Sequence, residues 1–149
     1  MYTFLLAVHN LLRWIVLVLL IVALVRAYWG WFGKRQWTHA DGRVGTFYSI
    51  SLDIQLLIGL ILYIALSPLT RVAFSDFSAA WSNPDLRFFV FEHLLVMILA
   101  VIFAHVGVAM AKRAEEDVQK HRLAALWFTL SLLAILVAMP WFRPLLPGL

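Results

Sequence analysis

The stretch that decides the fold runs from Arg87 to Lys112, RFFVFEHLLVMILAVIFAHVGVAMAK. About 20 apolar residues in helical form cross the hydrocarbon core of a bilayer, and this stretch supplies them. It carries an acid and an imidazole side by side, Glu92 and His93, near its start, and a second imidazole, His105, deeper in. Ionisable groups at membrane depth are costly and normally turn toward protein, so each is a candidate functional residue. For a lone histidine the commoner role is a satisfied interhelical hydrogen bond. Here the first apolar run carries a similar pair, His9 and Arg13, which sharpens the case for a shared site.

Composition supports the same reading along the whole chain. Of 149 residues, 64% are hydrophobic and only 13% charged, with a mean hydropathy of +0.90. A soluble domain has about half its residues apolar and a quarter charged. The fold class expected is therefore all-α integral membrane, a single four-helix domain over residues 1–149 with spans at about 2–31, 46–66, 87–112 and 123–139. The net charge of +4 then says nothing of nucleic acid; its distribution among loops sets orientation. The absence of cysteine excludes disulfides, thiolate metal sites and covalently attached haem. The N-terminus lacks a basic region and a small-residue cleavage site, so the first apolar run is expected to be retained.

In the first span, His9 lies roughly two turns in and Arg13 one turn further on the same face. Arg26, Tyr28, Trp29 and Trp31 close it as an interfacial belt. The loop GKRQWTHADGRVG, residues 33–45, places His39 and Asp41 in solvent. In the second span Gln55 and Gly59 share a face, a pattern for close approach and interhelical hydrogen bonding. Asp53 on the same helix is expected to be solvated or paired. Residues 67–84 mix aromatics with Ser, Asp and Asn, as expected for a short amphipathic segment at the interface, able to cap a site there. The fourth span, holding Thr129 and Ser131, reads as scaffold, and the proline-containing tail after it as non-helical.

Arg26, Lys34, Arg35 and Arg43 flank one connection, and Lys112, Arg113, Lys120 and Arg122 flank another on the same side. The opposite side holds Arg71, Arg87 and Arg143. The positive-inside rule puts both basic loops in the cytoplasm and both termini outside. His9 and His93 then each lie on the order of 10 Å below the outer start of their helices, at 1.5 Å per residue. Two imidazoles at one depth on two helices are what bis-histidine haem ligation needs. Ala100, Ala104, Gly107 and Ala111 continue the face behind His93, and small residues there admit a flat macrocycle or, more commonly, a neighbouring helix. Arg13 requires an anion, for which Glu92 and a haem propionate are the candidates. His105, twelve residues beyond His93, points about 120° away from it and lies nearer the depth of Asp53.

The segments H-x3-R-W (His9, Arg13, Trp14), IQLLIGLILY (Ile54 to Tyr63) and Glu92-His93 resemble a family of small bacterial four-helix membrane proteins labelled cytochrome b or cytochrome-b-like. The resemblance covers most of the chain. It implies haem b held by His9 and His93, with Arg13 and Glu92 at the same site, in a bacterial inner membrane. The leading expectation is an electron carrier, exchanging electrons with a quinone or serving as a redox subunit among other membrane subunits, rather than a free-standing enzyme. Its rivals are a cofactor-free accessory subunit and, behind both, a proton or small-molecule transporter using Asp53, Glu92 and His105.

Overall fold

The computed structural model describes residues 1–142. Seven α-helices follow in order: α1 (Tyr2–Phe32), α2 (His39–Ile61), α3 (Pro68–Ser75), α4 (Phe77–Ser82), α5 (Pro84–Arg87), α6 (His93–Arg113) and α7 (Asp117–Ala138). A π-helical turn at Leu62–Leu66 continues α2, and another at Phe88–Glu92 joins α5 to α6. Four continuous helices result that are long and apolar enough to cross a membrane: Tyr2–Phe32, His39–Leu66, Pro84–Arg113 and Asp117–Ala138. The chain is an all-α, multi-pass membrane bundle. Each long helix lies against the next, and α7 closes back on α1. Four spans return residues 1 and 142 to the same side.

Two spans begin earlier than the sequence suggested, and the cause in the first is a cap. Thr38 and Asp41 form a reciprocal capping box: the Asp41 carboxylate accepts the Thr38 N–H at 2.7 Å, and Thr38 Oγ1 accepts the Asp41 N–H at 3.4 Å. Such a box satisfies orphan donors of the first turn, so the helix starts at His39 rather than near residue 46. Asp41 is consequently not a free loop acid. It also takes Arg26 at 2.8 Å, tying the end of α1 to the start of α2. At the fourth span, Asp117 sits in the first helical turn, where a negative charge suits the macrodipole, and Lys120 reaches it at 3.2 Å. Helix α7 therefore starts at Asp117 and not near residue 123, and it carries His121 into the bundle.

The interior is built mainly from small and aliphatic residues, and its buried hydroxyl groups are tied to partners. Leu20, Ala100, Ala104 and Ala125 are fully buried. Tyr48 O–H donates to Ser131 Oγ, which donates in turn to the Ala100 carbonyl at 2.7 Å. Three helices are thereby stitched together where no water supplies a partner. The face of Ala100, Ala104, Gly107 and Ala111 receives α7: all four are buried, and the Phe128 ring and the Trp127 Cβ lie against Gly107. Of the two uses open to that face, close helix packing is the one realised. Outward, Val18, Leu57, Leu95 and Val137 are exposed on the four long helices. An apolar surface on every helix is stable in a bilayer and not in water.

The connection after the second span folds into α3 and α4, capped by Pro68 at the first helical turn and by Asp76, whose carboxylate accepts the Ala79 N–H at 2.9 Å. Ala73, Ala80 and Val90 form a small core of their own beneath it. Phe74, Phe77 and Trp81 remain exposed, as suits an interfacial segment. The tail expectation falls mostly on residues 143–149, outside the described residues, as does Arg143.

Candidate functional site

A cavity of about 430 Å³ opens among the ends of the four long helices on the side of the N-terminus, roofed by Ser67, Leu69 and Thr70. Cofactor-sized ligands occupy cavities of about 300–1,000 Å³. His9, Arg13, Gln55, Gly59 and His93 all line it. The depth match read from the sequence is met in space: the His9 and His93 rings lie 6.5 Å apart, centre to centre, with planes at 65°.

Each imidazole is held by a neighbour. His93 Nδ1 lies 2.7 Å from the Ala138 carbonyl. A carbonyl only accepts, so Nδ1 carries the proton and Nε2 keeps the lone pair of the neutral ring. His9 is fixed by its backbone, whose carbonyl accepts from Gln55 Nε2 at 3.0 Å. Its ring is laid over Gly59, where a Cβ would stand 3.2 Å from His9 Cε1. Glycine thus opens the place the ring occupies, and the shared face of Gln55 and Gly59 does what their spacing suggested. His9 Nδ1 and Gln55 Oε1 are buried and take no hydrogen bond from any described residue. Two orphaned polar atoms in one cavity lining mark a site able to take a polar ligand.

The π turn preceding His93 explains which side chains enter the cavity. The His93 N–H bonds the Phe88 carbonyl five residues back, and Tyr63 Oη donates to the Val90 carbonyl at 3.0 Å. Such widened turns insert one residue into the helical register, and they recur at functional sites. The widened turn also brings Glu92 toward Arg87, to which it pairs at 2.8 Å on an exposed edge. Glu92 therefore does not meet Arg13 and does not line the cavity, contrary to the pairing expected from sequence. In an uninterrupted α-helix residues five apart diverge by about 140° and would not pair. Arg13 is buried, with its guanidinium 5.7 Å from the Trp14 ring centre.

An exposed ion pair contributes about 0–1 kcal/mol. Glu92→Leu is therefore expected to change unfolding free energy in detergent by less than about 1 kcal/mol, and its effect should add to that of Arg13→Leu. A coupling energy well above about 0.5 kcal/mol between the two would show an interaction the structure does not contain.

His105 and Asp53 meet at 2.8 Å, as their depths suggested, far round the helix from the cavity. His39 is exposed, and Asp41 is committed to its cap. Among the described residues no three His, Cys, Asp or Glu side chains cluster as a metal site; two imidazoles flanking a macrocycle need no third. Sequence reading missed the anchoring of His93, because its partner is a backbone carbonyl and carries no residue-type signal. It also missed Asn10, one position after His9, which lines the cavity. Compared with family models, curated proteins and solved structures, the chain matches none.

Proposed function

We propose that the protein is a b-type cytochrome of a bacterial inner membrane, an electron carrier or the redox subunit of a larger complex exchanging electrons with a quinone. The observation carrying this reading is the 6.5 Å separation of the His9 and His93 rings across a cavity. Two imidazole nitrogens bound to one metal at about 2 Å each separate their ring centres by about 6 Å. His9 and His93 would hold the metal of such a group between them. The resemblance carried by His9, Arg13, Trp14 and Glu92-His93 points the same way.

The residues fit the group in kind as well as spacing. His93 presents Nε2 because Ala138 holds Nδ1, the outer hydrogen bond typical of a metal-ligating histidine. Arg13, lining the same cavity, offers a cation for a propionate. Glu92 is dropped from this set, being turned to Arg87. A bound haem supplies one-electron chemistry at its iron. The apolar walls of Leu52, Met97, Val101 and Ile135 exclude water from the site.

The deciding experiment is the absorption spectrum of protein purified after expression with ample haem, oxidised and then reduced with dithionite. A six-coordinate low-spin spectrum, with the haem extractable because no thiol holds it, is the expected result. Haem-free preparations would remove the cytochrome reading and leave an accessory subunit in its place. Orientation is tested separately. A reporter fused after Lys34 should report cytoplasm, because both basic connections lie on that side; a periplasmic signal would invert the topology and move the histidines to the inner face.

A further inference from the structure

The Asp53–His105 pair lies on the outer surface of the bundle, where α2 adjoins α6. The side chains are 44% and 54% exposed. At the helical rise, Asp53 stands about 15 Å beyond Arg43, and His105 about 10 Å short of Lys112, so both lie within the hydrocarbon layer. Ile50 and Leu57 share the helix face of Asp53, with Ile54 on the adjoining face, and Ile98 and Ile102 share that of His105; all five are exposed. Lipid tails offer such a pair no hydrogen bond. Ionisable side chains in spans face protein or a watery cavity almost without exception. The bundle itself leaves this pair uncovered.

We propose that this α2–α6 face is the contact surface between two copies of the chain. The pair is complementary to itself. Asp53 Oδ2 takes no hydrogen bond from any described residue, and His105 Nδ1 has only Ser49 Oγ at 3.4 Å. In a symmetric pair of copies, His105 Nδ1 of one meets Asp53 Oδ2 of the other, and the same contact repeats in reverse. Insertion in one orientation allows two copies to meet only in the membrane plane, about an axis along its normal. That rotation preserves depth, so the pair meets its own copy and the isoleucine stripes flanking it pack together.

The chain has no cysteine, so single cysteines report proximity cleanly. Ile54→Cys and Ile102→Cys, each oxidised in intact membranes, should form disulfide-linked dimers. Val18→Cys on α1 and Val137→Cys on α7 should not. Adding Asp53→Leu and His105→Leu should lower the linked fraction at Ile54→Cys roughly tenfold, the effect of losing an interhelical polar contact. The outward position of both side chains leaves the fold of that variant intact, as helical circular dichroism should show. Linking at Ile54→Cys and Ile102→Cys no greater than at Val18→Cys, or a linked fraction unchanged by the two leucines, overturns the proposal. Neither result bears on haem, which the absorption spectrum reads separately.

Discussion

His93→Ala is expected to abolish the low-spin haem spectrum and to lower haem retention by at least about 100-fold, since even loss of an outer hydrogen bond to a metal ligand costs about 10–100-fold. Removing the imidazole removes the lone pair that the Ala138 carbonyl orients, and nothing else in the cavity lining replaces it at that place. His9→Ala should do the same from the opposite wall. Gly59→Leu supplies an independent arm that leaves both imidazoles in the chain. Its Cβ alone stands 3.2 Å from His9 Cε1, and the rest of the side chain displaces the ring. His105→Ala should leave the spectrum unchanged, because that imidazole is on the bundle surface, bonded to Asp53. Haem retained in His9→Ala but lost in His105→Ala would keep the cofactor and refute the ligand pair.

The spans were legible because hydrocarbon thickness acts on composition, and a run of apolar residues is visible in one dimension. Depth was legible for the same reason: a constant rise turns sequence number into height, so His9 met His93 and Asp53 met His105. Azimuth was less secure. It fails wherever the period changes, and the π turn at Phe88–Glu92 changed it one residue before His93. That single insertion moved Glu92 to the rim and broke the expected pairing with Arg13. Helix starts were misread in the polar connections because the composition there resembles loop. Thr38 and Asp41 carried a capping signal all the same, three residues apart, which a search for caps rather than for apolar runs would have found.

The early start of α7 also decides where His121 lies: with the helix beginning at Asp117, this residue of the charged segment KRAEEDVQKHR is 2% exposed. Its ring lies 4.8 Å from the Trp37 ring, centre to centre, and directly over Gly30 of α1. Two physical effects give opposite signs for Gly30→Ala. Helix propensity alone favours alanine over glycine by about 1 kcal/mol. Against that, a Cβ at Gly30 would stand 2.2 Å from two ring atoms of His121, a distance no side chain tolerates. The ring is not the loose end of a flexible chain but a buried planar group wedged beside Trp37, so α1 and α7 must separate. Overpacking of this kind costs about 1–3 kcal/mol, occasionally more, and here the upper end is expected. Gly30→Ala should therefore destabilise the bundle by about 3 kcal/mol in detergent unfolding followed by circular dichroism. The same substitution in a His121→Ala background should be neutral or stabilising, because the ring that opposes it is gone and propensity is left to act. A Gly30→Ala variant more stable than the parent would mean that His121 is not seated on α1, and that α7 does not enter the bundle as early as Asp117.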